Sequence, residues 1–238
     1  MQVDSGPPGE GIPTSNGDPT LKETDDGREG APWEKRSEIG LWQGIYQTFK
    51  GVLFSPEALF GRLRFRNGIT EPLAFGLLLG SVGSMLGLFW QFLMISGGLL
   101  DLEDSIFDQP SVGSIFLVLF VVVPVLVFVG IFVYSGLLHL LLRLVGGGKN
   151  GFEASLRVVA YSQSTQICGF IPFVGGWIGG IWQFIVQVIG LREIHQTSYL
   201  RVILAFLLPV ALIVFLLVAV LIPLLVYVLR NPLGHLIS

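Results

Sequence analysis

Between Leu73 and Leu229 the chain holds four long stretches without Asp, Glu, Lys or Arg, and the short segments between them alternate in charge. Few folds accept that pattern. A soluble domain carries roughly a quarter of its residues as charges. Here 13% are charged and 52% hydrophobic, mean hydropathy is +0.72, and most of the charge precedes Glu71. Apolar runs of this length belong to helices that cross a bilayer, which need about 20 residues each. The expected fold class is therefore all-α: an integral membrane bundle of five transmembrane helices, preceded by an amphipathic helix and a disordered N-terminal tail.

Net charge is -3 and there is no basic patch, so a nucleic-acid partner is not expected. The single cysteine, Cys168, allows no intramolecular disulfide and reads as a small apolar residue. A polar stretch precedes the first apolar run, so no signal peptide is recognised and the first span is expected to act as the insertion signal.

Residues 1–36 read as a disordered acidic tail, rich in Gly, Pro, Ser, Thr, Asp and Glu and with almost nothing apolar to bury. Residues 37–72 read as interfacial helices. Trp42, Ile45, Tyr46, Phe49, Val52 and Leu53 recur at steps of three and four on one helical face. Gly40, Gly44 and Gly51 weaken that helix in water, so it needs an apolar support, either a membrane interface or the bundle. Ser55-Pro56-Glu57 starts a second short helix by cap, preset φ and favourable charge. Arg62, Arg64 and Arg66 follow it.

The five-span domain covers 73–229, with spans at about 73–100, 112–142, 154–171, 174–191 and 202–229; a short tail, 230–238, ends the chain. Gly76, Gly80 and Ser84 form a small-residue face for close helix contact. Pro124, Pro209 and Pro223 are expected to bend their helices. The third and fourth spans are short and carry polar stripes: Ser155, Ser162 and Gln166 on one, Gln183 and Gln187 on the other. Amides unpaired in hydrocarbon are costly, so Ser162 and Gln166 are expected near Gln183 or Gln187. That cluster serves either as interhelical hydrogen bonding or as a polar passage or ligand site. Glu153 and Arg157 stand at i, i+4 in the favourable order for an ion pair.

Cations sort by loop. Arg62, Arg64 and Arg66 precede the first span; Arg143, Lys149 and Arg157 lie around the second loop; Arg192 and Arg201 lie in the fourth. The first and third loops hold none, and Arg230 alone follows the fifth span. An excess of Lys and Arg marks the cytoplasmic side, which puts the N-terminus and its tail in the cytoplasm and the C-terminus outside.

Several segments carry a likeness: Phe54-Ser55-Pro56-Glu57-Ala58-Leu59-Phe60, Glu71-Pro72-Leu73-Ala74-Phe75 and Gly151-Phe152-Glu153-Ala154-Ser155-Leu156-Arg157-Val158-Val159-Ala160-Tyr161-Ser162. Ile171-Pro172-Phe173-Val174-Gly175-Gly176 and Ile189-Gly190-Leu191-Arg192-Glu193-Ile194-His195 complete it. In their order and spacing these segments resemble the Yip domain family, five-span proteins named for interaction with Rab-type GTPases. The resemblance covers roughly Gln43 to Val226. It implies a multi-span membrane adaptor without catalytic residues; eukaryotic members act in vesicle traffic. The Asp-Leu-Tyr-Gly-Pro motif of eukaryotic members does not occur here, so the chain looks like the prokaryotic branch, and the inner membrane of a prokaryote is the expected location.

The function expected is non-enzymatic: organising membrane or protein partners through the interfacial helix and the Arg62, Arg64 and Arg66 cluster near anionic headgroups. The alternative is a small transporter or channel lined by Ser162, Gln166, Gln183 and Gln187. It lacks the mid-membrane charge that ion-coupled transport commonly uses. His139, His195 and His235 look scattered, with no metal spacing, and neither catalytic residues nor a cofactor or metal site is expected. The expected partners are the lipid bilayer and membrane or cytoplasmic proteins of unassigned identity; a homo-oligomer is allowed.

Overall fold

A computed structural model describes residues 28–65, 68–96 and 111–230. Apart from one isolated parallel bridge between Glu29 and Leu63, the regular structure among them is helical. A 3-10 turn, Pro32–Lys35, leads into α1 (Arg36–Ile39), α2 (Leu41–Phe54) and α3 (Pro56–Arg62). The long helices are α4 (Thr70–Ser96), α5 (Ser111–Leu144) and α8 (Tyr199–Arg230). Between α5 and α8 lies a hairpin: α6 (Gly151–Ser162), its 3-10 continuation Gln163–Phe170, and α7 (Gly175–His195).

Among the described residues three stretches are long and apolar enough to cross a membrane: Thr70–Met94, Phe116–Leu144 and Tyr199–Tyr227. The expected third and fourth spans fall on the hairpin. Its first arm changes winding at Gln163, and the hydroxyls there supply the reason. Ser162 Oγ donates to Val159 O (2.8 Å), Ser164 Oγ to Tyr161 O (2.8 Å) and Thr165 Oγ1 to Ser162 O (2.9 Å). Such side chains compete for the carbonyls of the α ladder and favour the tighter 3-10 turn.

The hairpin is the centre of the fold. Ala154 through Ser162 are all buried, between α4, α5 and α7. α4 approaches closely because it presents glycine. A Cβ at Gly76 would lie 2.6 Å from Ala160 O, and one at Gly83 2.3 Å from Gln166 O; neither fits. By contrast α8 is buried at Val202 and Ala205, while from Val210 to Tyr227 it is exposed on every face. Pro124, Pro209 and Pro223 each lie inside a continuous helix.

The tail ends earlier than residue 36. Arg28–Arg36 is a strap built into the bundle, because Trp33 and Glu34 are buried there. Trp33 N donates to Thr48 Oγ1 (2.7 Å) and Trp33 Nε1 to Glu71 O (2.9 Å). The Trp33, Phe75 and Tyr161 rings pack in series as tilted pairs, with centroids 5.6 and 5.3 Å apart. Residues 1–27, Arg66, the acidic loop 101–110 and the tail 231–238 lie outside the described residues.

The apolar face of α2 also divides. Val52 and Leu53 are buried and Ile45 and Phe49 pack behind them, whereas Trp42, Tyr46 and Phe54 point outward, Trp42 at 80% exposure. Gly44 and Thr48 take inner positions instead. The bundle thus supports one side of this helix, and Trp42 and Tyr46, at i, i+4 spacing, are left with Phe54 on the other.

Candidate functional site

The hairpin brings its polar residues together. Gln166 Nε2 donates to Gln183 Oε1 at 2.6 Å, and Gln187 Nε2 donates to Ser162 Oγ at 3.0 Å. Ser162 Oγ donates in turn to the Val159 carbonyl, so Gln187, Ser162 and the backbone form one directed chain. Tyr134 of α5 begins that chain by donating to Gln187 Oε1 (3.0 Å). Tyr134 has no acidic or amide neighbour in the sequence of α5, so nothing local flags it. Gln163, four residues after Val159, lines the same region.

These residues border a cleft with two chambers. The inner one, ≈ 410 Å³, is lined by Tyr134, Gln163, Gln166, Gln183 and Gln187, with Gly130 and Gly180 on opposite walls. The outer one, ≈ 820 Å³, lies towards the hairpin turn, and Gln166 borders both. Among the described residues no charged side chain lines either chamber.

A second polar centre lies at the end of the bundle where α4 begins. Arg157 is fully buried and donates to Glu34 Oε1 (2.8 Å) and to the Gly68 carbonyl (2.8 Å). Tyr161 donates to the same Glu34 oxygen (2.7 Å). Glu153, one turn before Arg157, stands 3.7 Å from Nε. The expected i, i+4 pair is thus present but secondary to a partner from the strap. Arg36 bridges to both carboxylate oxygens of Glu71, and that bond holds the guanidinium above its ordinary pKa. Arg62 and Arg64 are exposed beside the strap, where Arg64 Nε donates to the Arg28 carbonyl (2.9 Å). Both cations, behind the closer Lys35, help hold the Glu29 carboxyl below its usual range.

Two of the scattered histidines meet. His139 Nδ1 and His195 Nε2 both hydrogen-bond Ser155 Oγ, at 3.0 and 2.8 Å. The Asn150 amide donates to His195 Nδ1 (3.1 Å), so that nitrogen carries no proton, Nε2 donates to Ser155, and Ser155 donates to His139. Folding, rather than sequence spacing, joins residues 139, 155 and 195. Burial, then the adjacent His139, push His195 down to about 4. Among the described residues no group of three His, Cys, Asp or Glu side chains converges, and His235 lies outside them.

A family model for the Yip1 domain matches residues 50–221. The chain belongs to the Yip1 domain family. The match runs from the end of α2 into α8 and contains the hairpin and both chambers. The strap lies ahead of it, yet the strap's Glu34 completes the Yip1 domain by pairing its buried Arg157. No curated protein and no solved structure matches the chain.

Proposed function

We propose that this Yip1-domain protein is a non-enzymatic five-span membrane protein that organises membrane or protein partners at its cytoplasmic face. The observation that carries this reading is the aromatic row of α2. Trp42, Tyr46 and Phe54 stand exposed on a helix whose other side is fixed to the bundle, and Trp182 Nε1 of α7 anchors its end by donating to Leu53 O (3.1 Å). An aromatic row beside Lys50 and the exposed Arg62 and Arg64 suits an interface of apolar chains and anionic headgroups.

Element lengths support five spans. The first arm of the hairpin has 12 α and 8 3-10 residues, about 34 Å at 1.5 and 2.0 Å per residue. The part of α7 from Gly175 to Leu191 adds about 26 Å. Both match a hydrocarbon core of about 30 Å. Their polar character is hidden because α6 is buried in protein, not lipid. The loop charges support a cytoplasmic N-terminus and an outside C-terminus, and the likeness to the prokaryotic branch supports an inner membrane.

The test combines spin labels at Trp42 and Tyr46 with chemical crosslinking in membranes. Labels at the headgroup boundary, and loss of crosslinked partners or lipids in Trp42→Ser with Tyr46→Ser, support the reading. Labels in bulk water with an unchanged crosslink pattern refute it.

The transporter reading keeps one specific support. Gln163 borders the inner chamber and its side chain forms no hydrogen bond among the described residues, leaving an amide to meet a passing polar group. Solute flux into liposomes that vanishes in Gln183→Ala with Gln187→Ala would favour it; flux that survives, or no flux at all, removes it.

A further inference from the structure

We infer that the outer chamber holds the acyl chain of a glycerolipid, with the lipid's polar region at Gln91. This rests on the membrane reading above. The chamber is built from the second half of α4, the first half of α5 and the hairpin turn, and its ≈ 820 Å³ falls within the roughly 300–1,000 Å³ of small-molecule sites.

Glycine shows that the space is kept open. On α4, Gly76 and Gly83 are needed because a Cβ would strike the hairpin backbone. Gly87, one turn further, is different: a Cβ there would meet nothing within 4 Å. The same holds for Gly176 on the opposite wall. A glycine inside a helix costs about 1 kcal/mol relative to alanine, and at Gly87 no helix contact offsets that cost. What the missing side chain leaves is room.

The chemistry of the walls selects the occupant. They are apolar and uncharged, and the chamber is continuous with the outward surface through Phe173 and Trp177, 71% and 77% exposed. The Gln91 side chain lies at the far rim and forms no hydrogen bond among the described residues. Gln91 lies 21 residues beyond Thr70, about 31 Å along the helix, which is the depth of the opposite interface. Trp90 and Trp177 flank it at the level where indoles gather, and Trp90 Nε1 braces the hairpin turn by donating to Phe170 O (3.1 Å). An apolar trough open sideways, with an amide at the interface, matches one lipid chain and its ester. A soluble solute would find no charge there and little polar surface.

The test uses the full-length protein in phosphatidylcholine–phosphatidylglycerol vesicles doped with a phosphatidylcholine that carries a diazirine on one acyl chain. After photolysis, labelled peptides are mapped by mass spectrometry. Label on Leu88–Met94 should exceed label on Pro209–Tyr227 of α8, and in Gly87→Leu with Gly176→Leu it should drop to the α8 level. Gln91→Leu keeps the space but removes the amide, and should lose bound lipid faster during detergent washing. Equal labelling of the chamber in wild type and filled protein overturns the site while α8 labelling still reports an embedded protein. Loss of label from α8 as well overturns the membrane reading and the site with it.

Discussion

Glu34 and Arg157 are 123 residues apart in the chain, and their side chains meet at 2.8 Å with almost no access to solvent. The strap is thereby pinned to the central helix of the fold. Taking two charges out of water is expensive, and removing one partner leaves the other stranded. Glu34→Ala should therefore lower unfolding stability by about 3–5 kcal/mol, read by denaturant or thermal unfolding in detergent micelles. Adding Arg157→Met should recover most of that loss. A loss for Glu34→Ala as small as an exposed pair's, below about 1 kcal/mol, would contradict the buried pairing.

His195 makes stability depend on pH. Its pKa is held down to about 4 from an ordinary 6.5, so between those values the unfolded chain binds a proton that the folded one refuses. Stability should fall as pH drops from about 6.5 towards 4 and be flat, for this group, above 6.5. The full effect is about 3 kcal/mol at 1.36 kcal/mol per pKa unit. Unfolding measured across that window should show a shallower slope in His195→Gln; identical slopes would show that His195 is not buried neutral.

Two glycines one turn apart on α4 should respond oppositely to alanine. At Gly83 the new Cβ would overlap the Gln166 carbonyl, and overpacking costs about 1–3 kcal/mol. At Gly87 it meets open space, and helix propensity should stabilise the protein by up to about 1 kcal/mol. Paired melting curves of Gly83→Ala and Gly87→Ala decide this, and equal destabilisation would refute the open chamber.

Gln187 joins three elements by accepting from Tyr134 and donating to Ser162. Hydrogen bonds between membrane helices average about 0.6 kcal/mol with a maximum near 1.7, so Gln187→Ala, which breaks two, should cost about 1–3 kcal/mol on the same assay. A Gln187→Ala protein as stable as wild type would show that the amide is not structural.

The long apolar helices were legible because length and hydropathy are local properties of a sequence. The Gln166–Gln183 contact was within reach too, since the cost of an unpaired amide in hydrocarbon dictates that the two stripes face each other. The strap was not. Its composition is that of a disordered tail, and its order depends on one carboxylate meeting Arg157 and one indole meeting Thr48 and Glu71, contacts that no window of sequence contains. The same holds for His139, Ser155 and His195. The change of winding at Gln163 came from Ser162, Ser164 and Thr165 together, a cue visible in the sequence once hydroxyl back-bonding is considered.

The account depends most on five crossings with the N-terminus inside. With Cys168 replaced by alanine, single cysteines at positions 104, 149 and 235 are exposed to a membrane-impermeant thiol reagent on intact cells. Labelling at 104 and 235 with protection at 149, lifted when the cells are opened, is the predicted result. Labelling at 149 in intact cells, or protection at 235 with labelling at 104, would contradict the topology on which the cytoplasmic face and the lipid chamber are placed.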